Sequence, residues 1–187
     1  MPGRIDVIQS LAATAEILPI VDIGEARPKI ASFISQISTV LSGLNTDIQI
    51  QRIALGLILI RHVASREDAY RELQSLLPVT LDPETSRDFM YQINHPEQFP
   101  IGQDSIELNR LSRWSAMRKQ HFMVQFSAAS VSTQTSLTSG ETYIRCEVDN
   151  STQADRTEPL PRDNIVTILN QLVTLANKTS VGERLEA

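Results

Sequence analysis

From Arg27 onward, Ile30, Phe33, Ile34, Ile37, Val40, Leu41 and Leu44 recur at intervals of three and four residues, the spacing that stacks side chains on one stripe of an α-helix. Pro28 near its start and Gly43 near its end suit a helix entry and exit, so a helix is predicted over 28–43. Between Asp47 and Val63 the period changes to two. Ile48 and Ile50 alternate with Gln49 and Gln51, and Ile53, Leu55, Leu57 and Leu59 then continue on the opposite parity. A long strand with a bulge at Gln51-Arg52 follows from that slip, because one extra residue moves every later side chain to the other face. From Ile53 to Ile60 both faces are apolar or small, the signature of a central strand covered on both sides. A buried helix is the alternative, since a continuous apolar run fits either period.

Ser65-Arg66-Glu67-Asp68 resembles a capping box, in which the Ser65 hydroxyl takes the Asp68 N–H and the Asp68 carboxylate turns back to the cap. The helix it opens gathers Ala69, Leu73, Leu76 and Leu77 and stops at Pro78. Four short alternating segments come next: Phe89/Tyr91/Ile93, Ile106/Leu108, Phe122/Val124/Phe126, and Tyr143 to Asp149 with Ile144, Cys146 and Val148 on one side. Their connections are mostly too short for helical crossovers, which implies antiparallel pairing. The Ser/Thr-rich stretch from Ser127 to Thr142 reads as a hairpin arm or loop. A last helix over 162–178 stacks Ile165, Ile168, Leu169, Leu172, Leu175 and Ala176, and the tail beyond it is expected to fray. An edge strand near Ile17-Leu18-Pro19-Ile20-Val21 is a further expectation, with Pro19 placing it at a border.

These elements define an α+β fold: a mostly antiparallel sheet of about five or six strands with about three packed helices. At 187 residues one domain is expected, with an N-terminal segment and helix over 1–46, the sheet and C-terminal helix over 47–178 and a tail over 179–187.

Composition narrows the chemistry. The seven glycines include no G-x-G-x-x-G or G-x-x-x-x-G-K-[ST] spacing, which argues against Rossmann and P-loop nucleotide sites. One cysteine and three histidines supply no CxxC, HxxxH or HExxH arrangement, so neither a disulfide within the chain nor a metal site is expected, and no cofactor is implied. The longest apolar run is eight residues, against about 20 for a membrane-spanning helix. No secretory leader is recognisable, and a cytoplasmic protein without membrane contact is expected.

Net charge is −5, but it is unevenly spread. The 14 residues from Leu108 to His121 hold four Arg or Lys, the only tryptophan and no acid, so everything outside them sums to −9. Arginine and tryptophan dominate many binding interfaces, which makes Arg110, Arg113, Trp114, Arg118 and Lys119 candidates for a surface that holds a protein partner or a second copy of the chain. The same residues could contact phosphates and stack a base, giving a nucleic-acid-binding accessory protein as the alternative. A purely structural role, with these arginines paired to the protein's own acids, is the third possibility for the segment.

Two segments end alike, Ile93-Asn94-His95 and Leu108-Asn109-Arg110, and Asn94, His95 and Asn109 form a candidate polar site. Asparagine at a strand end also initiates turns, and Pro96 favours that role here. His95 lacks a recognisable nucleophile partner, so no catalytic residue is assigned. Glu147 and Asp149 share a strand face and could serve a small enzyme together with His95, although no third ligand accompanies them. The leading expectation is a non-enzymatic interaction subunit, probed most directly at the Trp114 segment.

Overall fold

The computed structural model describes residues 6–8, 25–43, 48–126 and 133–183. Three helices and a five-stranded antiparallel sheet make it an α+β fold. In chain order the elements are α1 (Ala26–Ser42), β1 (Ala54–Val63), α2 (Arg66–Leu76), β2 (Met90–Asn94), β3 (Glu97–Ile101), β4 (Asp104–Phe126), β5 (Thr133–Thr152), a 3₁₀ turn (Arg162–Asn164) and α3 (Ile165–Thr179). The sheet runs β1-β5-β4-β2, with β3 pairing the first part of β4 beside β2.

The three helices fall where periodicity and capping place them. At α2 the Asp68 N–H donates to Ser65 Oγ over 3.0 Å, and the Ser65 hydroxyl donates to Asp68 Oδ2 over 2.7 Å. α2 and α3 cover one face of the sheet, and α1 leans on α3. The buried residues form one continuous cluster, built from Tyr70, Leu73 and Leu77 near α2, Leu108 and Trp114 of β4, Ile144, Cys146 and Val148 of β5, and Ile168, Leu172 and Leu175 of α3. Fully buried Asn150 on β5 donates to the Leu172 carbonyl over 2.9 Å, tying strand to helix through a polar contact inside this core.

Several expectations are corrected. β1 begins at Ala54 rather than Asp47, and residues 48–53 are irregular, so the slip at Gln51-Arg52 precedes the ladder instead of bulging it. Among the described residues β1 is also an edge strand, with Ile58 60% and Ile60 39% exposed; its continuous apolar run does not signify cover on both faces. The segments at 106–108 and 122–126 are one strand of 23 residues, whose partner β5 takes in Thr133 to Thr142 of the Ser/Thr-rich stretch. The single register shift between them lies at His121/Phe122. β3 escapes sequence reading because Pro100 sits inside it, which an edge position tolerates. It joins β4 through a tight turn in which Gly102 takes φ +61°, a conformation that costs glycine little. The edge strand expected around Pro19 lies outside the described residues.

The chain after α3 does not fray where it is described. Gly182, at φ +121°, brings the backbone against α2: a Cβ there would stand 2.6 Å from the Leu76 carbonyl oxygen, and the Glu183 N–H donates to that same oxygen over 2.8 Å. Only glycine meets both demands.

Candidate functional site

Side chains alternate along a strand, so the basic segment within β4 cannot form one surface. Residues Ile106, Leu108, Arg110, Ser112 and Trp114 turn toward the helices, whereas Asn109, Leu111, Arg113, Ser115 and Met117 turn to the opposite face, uncovered among the described residues, as their cross-strand neighbours on β5 indicate. Trp114 is 2% exposed, opposite Tyr91 on β2 and Cys146 on β5, and belongs to the core. This corrects the expectation that it anchors an exposed surface. Arg118 is exposed, with its guanidinium lying over Gly140 of β5, where an added Cβ would come within 2.8 Å of Nε. Lys119 is half-buried.

On the helix side, Arg110 and Ser112 meet a residue with no sequence signal, Glu183. Its side chain is 1% exposed. The Ser112 hydroxyl donates to Glu183 Oε1 over 2.6 Å, Arg110 Nη1 stands 3.3 Å from Oε2, and His95 Nε2 stands 3.7 Å from the same oxygen. Arg110 is held further by the Glu97 carboxylate at 3.9 Å and by donation to Thr179 Oγ1 over 3.5 Å. The His95 backbone N–H donates to the Arg110 carbonyl over 3.0 Å, which places the histidine beside the network. This constellation links the residues after α3 to β4 and to the end of β2. Its negative charge reaches neighbours: burial first and the Glu183 charge second push the Tyr91 hydroxyl above its ordinary range.

Nucleophilic catalysis does not suit this cluster. A serine nucleophile needs an available base and room for substrate, whereas Ser112 is fully buried and the carboxylate on its hydroxyl is paired with Arg110. Cys146 is no better placed. Burial, then the charges of Glu183 and Glu147, push its thiol up to about 12, so it stays protonated and unreactive. Iodoacetamide at pH 8 is therefore expected to leave native protein unlabelled over a time that modifies the urea-unfolded chain completely, as read by intact mass. Comparable rates in the two states would contradict the buried, neutral thiol.

The other candidates divide between the faces. Asn94 Nδ2 donates to Asn109 Oδ1 over 2.8 Å, so the two asparagines do pair, on the uncovered face. His95 points instead to Glu183, and the three do not share a site. Glu147 and Asp149 are on the uncovered face too, separated by the sheet from His95, which removes the geometric basis of the small-enzyme reading. No three His, Cys, Asp or Glu side chains converge as metal ligands among the described residues. An open groove of about 710 Å³ between α1 and α3, lined by Ile34, Ser35, Val166, Asn170 and Val173, has no titratable group in its walls.

Polar and apolar groups stand side by side on the uncovered face. Reading across the sheet, Ile58 of β1, Glu147 of β5, Arg113 of β4 and Gln92 of β2 form one row. Arg113 Nε donates to Gln92 Oε1 over 2.8 Å, Arg113 Nη1 is 3.6 Å from Glu147 Oε2, and Arg145 pairs with the other oxygen of Glu147. The adjacent rows bring up Leu111 and Met90, the latter 63% exposed, and the row beyond Met90 holds Met117. Among known proteins, no family model, curated sequence or solved structure matches the chain. Among the described residues, no helix is long and apolar enough to cross a membrane.

Proposed function

We propose that the protein is an interaction subunit that holds a protein partner against the uncovered face of its sheet. The observation that carries this is the Gln92–Arg113–Glu147–Arg145 ladder, a mutually bonded set of exposed and half-buried polar groups bordered by exposed Met90 and by Leu111 and Met117. Strand-borne side chains with fixed neighbours lose little freedom on binding, and an apolar margin around oriented polar groups matches the composition of protein interfaces. The partner's complementary surface is accordingly mostly apolar with a few hydrogen-bonding acceptors, because Glu147 offsets one of the ladder's two arginines.

A nucleic-acid surface fits less well. Arg113 and Arg145 are both engaged by Glu147, and Arg110 by Glu97 and Glu183, so the +4 segment presents no continuous basic stripe to phosphates. Charge reversal separates the readings. Arg113→Glu, which places two carboxylates side by side on the exposed face, is expected to abolish retention of the partner bound by wild-type protein while the circular dichroism spectrum stays unchanged. Binding by wild-type protein should vary little between low and moderate salt. Retention of the partner by the variant, or a steep loss of wild-type binding with salt, would refute the proposal.

A further inference from the structure

The two borders of the sheet are built differently. One is divided between β2 and β3, each five residues long, with Pro100 in the second: short strands and a missing donor are the usual protections of an exposed edge. The other is β1, ten residues reading Ala-Leu-Gly-Leu-Ile-Leu-Ile-Arg-His-Val, without proline, lysine or bulge. Among the described residues no strand pairs with its outer side.

The direction of its backbone groups follows from one bond. The Thr152 N–H donates to the Ile53 carbonyl over 2.9 Å, which continues the ladder one pair beyond Ala54↔Ser151. Odd-numbered residues of β1 therefore face β5, and the N–H and C=O groups of Ala54, Gly56, Ile58, Ile60 and His62 point away from the sheet. A row of unsatisfied groups on a long, apolar strand is a template for another strand.

We infer that this edge pairs antiparallel with β1 of a second copy about a two-fold axis at Ile58, joining the two sheets into one. Two-fold pairing is self-complementary only where outward-facing residues meet one another. Setting Ile58 opposite Ile58 also sets Gly56 opposite Ile60 and Ala54 opposite His62, so every outward group on both strands is satisfied. Shifting by one step in either direction leaves a terminal outward residue unpaired. Side-chain shape agrees with this register. A Cβ built on Gly56 meets nothing within 4 Å, which leaves room beside the seam for Ile60 of the other copy. On the helix side Leu57 and Leu59, each partly exposed in the single chain, come together across the two-fold. Charge is tolerated as well: the row through Ile60 and Gly56 carries Arg145 at one end and Asp149 of the second copy at the other, and the central row carries Glu147 at both ends, each paired with Arg145 of its own copy.

Pairing at this edge uses backbone groups in the plane of the sheet and is measured on the protein alone, without the partner. Sedimentation of wild-type protein at tens of micromolar is expected to give twice the chain mass. Ile58→Lys, which opposes two ammonium groups at the two-fold, should give the single-chain mass with unchanged circular dichroism. Ile58→Cys should form a disulfide-linked dimer under mild oxidation, since directly opposed residues in such a pair lie about 5.5 Å apart between Cα atoms, within disulfide range. Arg61→Cys, whose counterpart lies opposite Leu55, should not. A wild-type monomer, a dimer that survives Ile58→Lys, or equal cross-linking by the two cysteine variants would each overturn the inference.

Discussion

Trp114→Ala is expected to destabilise the fold by about 3–5 kcal/mol, the range for removing a large aromatic from a packed core. The indole is 2% exposed and lies between Tyr91 and Cys146 on the neighbouring strands, so truncation leaves a cavity under α2 and α3 that the strands cannot close without breaking their ladder. Urea unfolding followed by far-ultraviolet circular dichroism measures it, since the only tryptophan is gone from the variant. Trp114→Phe should cost far less, about 1–2 kcal/mol, because the lost volume is small and the indole Nε1 is buried without an acceptor. An alanine variant that unfolds at the wild-type urea concentration but loses its partner would return Trp114 to a binding role.

Removing the Glu183 carboxylate has a comparable effect by a different route. Glu183→Ala leaves Arg110 largely buried opposite an empty space and the Ser112 hydroxyl without its acceptor. Breaking a buried ion pair on one side costs about 3–5 kcal/mol, mostly because the surviving charge stays desolvated. Deleting the chain from Gly182 onward should match it, since the same carboxylate and the Glu183–Leu76 backbone bond are lost together. The sharper comparison is the double variant Arg110→Met with Glu183→Leu, in which both charges are replaced by apolar groups. It is expected to recover most of the loss, with a coupling of 1 kcal/mol or more by double-mutant cycle. Additive losses in the double variant would show that Arg110 and Glu183 contribute independently, contrary to the geometry.

The network explains an otherwise awkward feature of the sequence. In β4 the inward positions run Ile106, Leu108, Arg110, Ser112, Trp114, so hydrophobic alternation stops at Arg110 and Ser112 and resumes at the tryptophan. The same parity turns polar again at Arg118 and Gln120, so period-two reading detects only the ends, at 106–108 and 122–126, and splits one 23-residue strand into separate segments. Arg110 and Ser112 stay inward because Glu183, 71 positions beyond Ser112, supplies the acceptor that makes their burial affordable. Nothing local to either segment signals that contact.

β1 is misplaced for a related reason. Its apolar run from Ile53 to Ile60 is the sequence of a central strand, yet the order β1-β5-β4-β2 sets it at a border. Hydrophobicity reports that a surface prefers to be covered, without specifying whether the cover comes from the same chain. The proposed pairing with a second copy would resolve that mismatch, and then the sequence pattern and the position of the strand agree.

What the sequence determined by itself is local. The helical stripes over 28–43, 65–77 and 162–178, the Ser65 cap, the inward side of Ile144, Cys146 and Val148, and the α+β class all arise from interactions between residues a few positions apart, where spacing alone decides which side chains share a face. The tertiary structure alone decided which side of β1 and β4 meets the helices, that Arg113 is open while Trp114 is buried, that Asn94 finds Asn109 while His95 turns away, and that Glu183 closes the polar gap in β4. Those outcomes depend on the packing of segments far apart in the chain, whose meeting no local period encodes.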